Sequence, residues 1–195
     1  MKRGHMDKVK KNRSSTLPSG KRTLKTKLSI LLLCIAAIVL AGFMIPEDPV
    51  IPVQDATEND WNHKTFWYET WGRSGVHKGI DIFAPIGRPV ISATPGIVLY
   101  EGNIALGGNV VLVLGPKWRL HYYAHLKKTS SSAGQFLSVQ EPVGEVGDTG
   151  NAKGKPSHLH YSILTPIPYP WCWDRSTQGW KKMFFINPSD YLLEG

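Results

Sequence analysis

Eighteen consecutive residues without a charge, Leu28 to Ile45, constrain this chain more than any other feature. Wound as a helix they rise about 27 Å, close to the thickness of a bilayer's hydrocarbon core, where a helix alone satisfies its own backbone groups. A transmembrane helix is therefore expected over 28–45. Its flanks differ sharply. Residues 1–27 hold ten of the 23 basic side chains and one acid, Asp7, whereas Pro46-Glu47-Asp48-Pro49 follow on the other side. The positive-inside rule then makes 1–27 a basic cytoplasmic tail and sends the rest of the chain across the membrane. The formal charge of +8 belongs to the tail, and the remainder is nearly balanced. A basic arm of this kind binds phosphates in other settings, but its place directly before an apolar span makes topology the better account, and no nucleic-acid partner is assigned. A cleaved signal is the rival reading, with Val39-Leu40-Ala41 near a cleavage point. The basic region is too long for one, and the apolar run exceeds the usual length of about 7 to 15 residues. A lipoprotein fits less well, since Leu33 stands before Cys34 where a small residue is needed.

Residues 46–71 read as a linker or stalk: Pro, Asp and Glu scattered among short apolar pieces with no helical period. From residue 72 to 195 the chain changes to short β-prone runs punctuated by glycine and proline. Strands are expected near Gly79–Phe83, Pro89–Ser92, Gly96–Glu101, Asn109–Leu114, Trp118–Leu126, Val143–Val146 and His158–Leu164. No segment offers ten residues of helical period. The fold expected is all-β, an antiparallel sandwich or groove domain with long loops, preceded by one N-terminal transmembrane helix. The Gly147–Ser157 loop should form one wall of the groove; its Gly-Asp-Thr-Gly-Asn lacks the Gly-Lys-Ser/Thr ending of a phosphate cradle. The aromatic, proline-rich 166–180 stretch is expected to pack against the sheet, with a substrate or partner surface as the other reading. Cys34 falls in the apolar span and Cys172 in the outer domain, so no intrachain disulfide is expected and Cys172 reads as a buried thiol.

Five of the seven histidines fall in three short motifs. His77-Lys-Gly-Ile-Asp81 and His158-Leu-His160 have the composition of a metal site. A catalytic zinc takes three protein ligands and leaves its fourth position to water. His77, Asp81 and one histidine of the second pair would fill that set. On a strand, His158 and His160 point the same way, so one imidazole can reach a metal while the other stands beside its water. His121, Tyr123 and His125 in Leu120–Leu126 would share a face by the same alternation. No His-Glu-x-x-His helix is present, which removes the glutamate base of that arrangement and leaves proton transfer to histidine.

Taken in order, Gly75-Val76-His77-Lys78-Gly79-Ile80-Asp81-Ile82, Tyr123-Ala124-His125-Leu126, Gly147-Asp148-Thr149-Gly150 and His158-Leu159-His160 resemble the lysostaphin-type zinc endopeptidases. Those enzymes cut peptide cross-links in bacterial peptidoglycan. Intervening matches such as Ala84-Pro85-Ile86-Gly87-Arg88-Pro89-Val90 and the closing Ile186-Asn187-Pro188 extend the likeness over about residues 72–193. The resemblance implies one Zn2+ held by His77, Asp81 and His160, with His125 and His158 as catalytic histidines and a peptidoglycan peptide as substrate. His121 has no fixed counterpart and remains a candidate for the groove or for supporting the ligands. The implied location is a bacterial cytoplasmic membrane, single-pass, with the catalytic domain extracytoplasmic. Some relatives of this kind have lost zinc ligands and activate other wall hydrolases, so a non-hydrolytic regulator is the alternative; all five expected residues being present argues for the enzyme.

Overall fold

The computed structural model describes residues 19–193, with side chains from residue 24 onward. Residues 1–18 of the expected basic tail lie outside the described residues. The chain divides into two compact units, Met1–Leu40 and Ala41–Gly195. Helix α1 spans Ser19–Phe43, and its stretch Leu24–Phe43, with a mean hydropathy of 2.3, is long and apolar enough to cross a membrane. Its leucines and isoleucines are exposed, as a surface meant for a non-aqueous neighbour would be. Pro46 follows shortly after its end, where a ring without an N–H cannot continue a helix.

The second unit is built almost wholly of antiparallel strands: β1 (Glu69–Trp71), β2 (Gly75–Val76), β3 (Ile80–Phe83), β4 (Pro89–Ile91), β5 (Gly96–Ile104), β6 (Gly108–Leu114), β7 (Leu120–Leu126), β8 (Lys128–Thr129), β9 (Phe136–Leu137), β10 (Pro142–Glu145), β11 (His158–Leu164) and β12 (Phe185–Ile186). A six-residue helix α2, Pro188–Leu193, ends it. The large sheet runs β12-β11-β7-β6-β5-β9, a small one runs β4-β10-β8, and β1 pairs with β2. Each of the seven expected strands is present within a few residues of its expected bounds. The strands not expected are two or three residues long, too short to show a period of two.

Strand β11 organises the sheet. One edge pairs with β7 over His160–Leu164; the other is shared by β3, opposite His158–Tyr161, and β12, opposite Ile163–Leu164. Alternation along these strands sends Ile80, Ile82, Val111, Val113, Tyr123, Leu159, Tyr161 and Ile163 into one core, closed by Val90 and Val143 from the small sheet. The other face carries Asp81, Leu112, Tyr122, His158, His160 and Ser162 and is concave.

Two expectations need correction. Residues 46–71 are not a free stalk. Val53 is 1% exposed and bridges Val90, Trp61 and Trp67 are buried, and backbone bonds run from Val50 N to Ala93 O and from Ile91 N to Pro52 O. The glutamate after the helix is anchored as well: Glu47 Oε2 accepts from Arg119 Nη1 at 2.5 Å and from Lys117 Nζ at 3.0 Å. Isolated apolar residues in irregular chain bury as well as periodic ones, which is why composition misled here. In the 166–180 stretch, by contrast, packing is limited. Trp171, Trp173 and Trp180 are 78%, 54% and 55% exposed, and Cys172 is half-buried rather than sealed.

Candidate active site

The register of β3 on β11 sets Asp81 directly opposite His160, and cross-strand neighbours on one face are within side-chain contact. His77 enters from the turn before β3. The result is a tight group: His160 Nδ1 is 2.8 Å from Asp81 Oδ1, His77 Nε2 is 3.1 Å from the same oxygen, and the two nitrogens are 3.1 Å apart. Two imidazole nitrogens and one carboxylate oxygen converging on one point form a group able to hold a metal ion. Close approach of β3 to β11 requires Gly79, because a Cβ there would lie 2.3 Å from Tyr161 O and 2.5 Å from Ser162 Oγ.

Every ring is held by its far nitrogen. His77 Nδ1 donates to Thr65 O at 3.1 Å, His125 Nδ1 to Thr149 O at 2.9 Å, and His158 Nδ1 to Pro156 O at 2.7 Å. A carbonyl can only accept, so these three rings carry a proton on Nδ1 and turn Nε2 inward. His160 is reversed: its Nε2 meets Ser162 Oγ at 2.9 Å and its Nδ1 faces Asp81. Trp71 stacks on His77 with ring centroids 4.1 Å apart and planes at 24°. Partners of this kind fix tautomer and ring orientation around metal-ligating histidines. Thr65, Trp71 and Ser162 carried no signal in the sequence, since Thr65 acts through its backbone, Trp71 by stacking, and Ser162 is distinguished only by following His160 on the same strand face; Thr149 stood out only within the Gly147–Gly150 motif, with no role attached to it.

His125 and His158 flank the group, with ring centroids 5.1 Å apart, and His125 lies 5.9 Å from His160. His158 Nε2 is 3.8 Å from Asp81 Oδ1. The route by which His125 arrives differs from simple alternation. Between the pairs Asn109↔Leu126 and Val111↔Tyr123, β7 holds one residue more than β6, and His125 takes the left-handed backbone, φ 63°. Histidine is among the side chains that tolerate that region. This bulge turns His125 to the groove, whereas His121, four positions earlier, stays on the core face. There its Nδ1 lies 2.7 Å from the Tyr161 hydroxyl with no solvent exposure, so His121 is not a groove residue.

The electrostatics suit cation binding. Burial pushes the Asp81 carboxyl up, but the hydrogen bonds from His160 and His77 outweigh it and hold the group far below the usual carboxylate range. Burial lowers His160, against the raising effect of Asp81. Burial, then the neighbouring His160 and His158, lowers His125 to about 4. His125 is therefore neutral at pH 7, with the lone pair of its Nε2 free to accept. The groove around these residues has a volume of about 720 Å³. Its walls include Val76, Leu106, Leu112 and Phe185, with Asn151, Ala152, Lys155 and Pro156 from the expected loop wall.

Residues 75–167, which contain all five of these side chains, match the family model described as Peptidase family M23. Among curated relatives, the L-Ala--D-Glu endopeptidase of Bacillus subtilis is 30% identical over 142 residues, covering 63% of this chain and 44% of the relative. The peptidoglycan DD-endopeptidase ShyA of Vibrio cholerae is 34% identical over 92 residues, 47% of this chain and 21% of the relative. The chain thus spans less than half the length of these relatives. In fold it is similar to the catalytic domain of the antimicrobial peptidase lysostaphin from Staphylococcus simulans, with a TM-score of 0.56 at 21% identity over 71% of this chain and 99% of that one. Residues 75–167 therefore form a Peptidase family M23 domain of the lysostaphin type.

Proposed function

We propose that the second unit is a zinc endopeptidase that hydrolyses peptide bonds of peptidoglycan, carried on a single N-terminal membrane span with its catalytic groove on the extracytoplasmic side. The observation that carries this reading is the meeting of His77, Asp81 and His160 at 2.8–3.1 Å with two further imidazoles, His125 and His158, beside them. The donor set fits the metal: two imidazoles and one carboxylate are borderline ligands that zinc accepts in a tetrahedral site, and the single anion leaves that site net positive. His77 Nε2, Asp81 Oδ1 and His160 Nδ1 would hold it. A zinc ion bound there lowers the pKa of a water toward neutrality and polarises a carbonyl oxygen.

The chain's own groups supply the rest. His125 and His158 present Nε2 atoms whose rings cannot swing, because Thr149 O and Pro156 O hold the opposite nitrogens. One of the pair takes the proton of the attacking water. The other donates to the developing oxyanion or to the departing amine, and preorganised donors of this kind contribute most where water is excluded. Asp81 stays ionised throughout and orients His77 and His160. The names of the Bacillus subtilis and Vibrio cholerae relatives support a peptidoglycan peptide as substrate. The exposed apolar surface of α1 supports the span, and the ten Lys and Arg of residues 1–27 support its orientation.

The decisive experiment measures metal content of the purified chain by mass spectrometry and digests purified peptidoglycan, with chromatography of the fragments. One zinc per chain and fragments bearing new amino termini are expected. A chain that binds no metal and releases no fragment would overturn the reading and leave the non-hydrolytic regulator.

A further inference from the structure

The groove carries positive charge that the proposed chemistry leaves unused. Lys78 and Lys155 line it, and its one acidic lining residue, Asp81, is engaged by His77 and His160. The lysines of the second unit that pair with carboxylates are Lys117, Lys127, Lys128 and Lys182, so among the described residues Lys78 and Lys155 have no anionic partner. A unit whose formal charge is nearly balanced thus presents a positive groove. A cleft lined by one sign of charge concentrates ligands of the other sign.

Lys78 is held in place and is not a freely solvated side chain. It is half-buried, with its ammonium 5.9 Å over the Trp67 ring and donating to Ser74 O at 3.2 Å. The same carbonyl accepts from Gln178 Nε2 at 2.8 Å, and Gln178 Oε1 accepts from Lys181 Nζ at 3.0 Å, so a second cation is linked to Lys78 through one carbonyl and one amide. The Thr165–Phe184 segment that brings Lys181 is fixed to this rim. Thr177 N and Oγ1 donate to the Glu69 carboxylate at 2.9 and 2.8 Å, and Trp67 Nε1 donates to Thr177 O at 3.0 Å. Glu69 is thereby engaged by an amide and a hydroxyl, and it neutralises neither lysine.

Strand register places the two groove lysines on opposite sides of the metal group. Lys78 precedes Ile80, which pairs with Tyr161, and Gly79 packs against Tyr161 O and Ser162 Oγ, so Lys78 lies beyond His160 toward the C-terminal end of β11. Lys155 precedes His158, the first residue of that strand, and lies off its other end. An extended peptide advances about 3.3 Å per residue, so one laid along β11 across the metal group meets a cation within a few residues on each side.

Resting on the endopeptidase reading of this site, we infer that the substrate is a stem peptide with free carboxylates on both sides of the scissile bond, recognised by Lys78 on one side and by Lys155 on the other. A cross-link between carboxylate-bearing stem peptides supplies those groups. An oligoglycine bridge has no charged side chain and would leave both ammonium groups without a counter-charge.

The test uses the full chain, purified in detergent and loaded with zinc, and follows hydrolysis by chromatography. The substrates are a cross-linked stem-peptide dimer with free carboxylates, the same dimer with those carboxylates amidated, and stem peptides joined by a pentaglycine bridge. At low salt kcat/KM for the free dimer should exceed that for the amidated one about 10-fold, mostly through KM, and the difference should shrink at about 0.5 M salt. Lys78→Gln and Lys155→Gln should each remove most of that preference, whereas Lys153→Gln, exposed on the same loop and outside the groove lining, should keep it. Zinc content and circular dichroism check that the variants fold, and the comparison of the two dimers on the wild type needs no variant. Equal rates on the two dimers, cleavage confined to the glycine bridge, or a folded double variant that keeps the preference would overturn the inference and leave the endopeptidase standing. A chain that binds no zinc and cuts neither these peptides nor purified peptidoglycan would instead refute the endopeptidase reading, and the inference with it.

Discussion

The buried His121 gives the sharpest quantitative test of the fold. It has no exposure, and burial together with the positive charge of Arg119 lowers its pKa to about 3, against about 6.5 for a free imidazole. Because the folded value is the lower one, between these two pH values the unfolded chain binds a proton that the folded chain refuses. Stability is therefore undiminished above pH 6.5, falls as the pH drops below it, and stops falling only near pH 3. Between pH 7.5 and pH 5 the cost comes to about 2 kcal/mol from this one side chain. His121→Asn keeps a polar atom near the Tyr161 hydroxyl and cannot titrate. Urea unfolding of the full chain in detergent, with a chelator present and near-ultraviolet circular dichroism as the signal, gives stability at each pH for both proteins. Whatever constant cost the substitution carries cancels in the comparison, so the wild type should lose about 2 kcal/mol more than the variant over this range. Parallel profiles, differing by less than about 0.5 kcal/mol, would refute the reasoning.

Three further outcomes are expected. His77→Ala, Asp81→Ala and His160→Ala should each lose bound zinc by mass spectrometry, whereas His125→Ala and His158→Ala should keep it and lose at least about 100-fold in peptidoglycan hydrolysis; full turnover in either of the latter pair would contradict its role. Ser162→Ala removes the partner of His160 Nε2 and should weaken zinc about 10- to 100-fold in competition with a chelating dye; unchanged affinity would mean the hydroxyl does not orient the ring. Val53→Ala should cost about 2 kcal/mol in urea unfolding, since the side chain is sealed against Val90; a residue in a free stalk would cost nothing.

The long strands were legible because alternation over four or more residues identifies both a strand and its buried face, and His158-Leu159-His160 shows how far that goes: the two histidines do face the groove while Leu159 enters the core. The same rule failed on β7. Even spacing from His121 to His125 implied a common face, and a single extra residue with left-handed backbone separated them. Bulges depend on pairing with a partner strand, which no local pattern records. Likewise Val53, Trp61 and Trp67 became core residues through contacts with distant strands, although their surroundings are irregular chain. The anchoring carbonyls of Thr65, Thr149 and Pro156 were invisible for a simpler reason: every residue has one.

Asp81 faces His160 only in the register that also puts Ile80 and Ile82 into the core. Slide β3 by a single position and an isoleucine would face the groove while the carboxylate entered hydrocarbon surroundings, at a cost of several kcal/mol. The geometry of the proposed metal site and the burial of the core thus rise and fall together, as one variable. A variant that still folds has kept this register, and a defect in such a variant is to be sought in its side chains and not in a slipped strand.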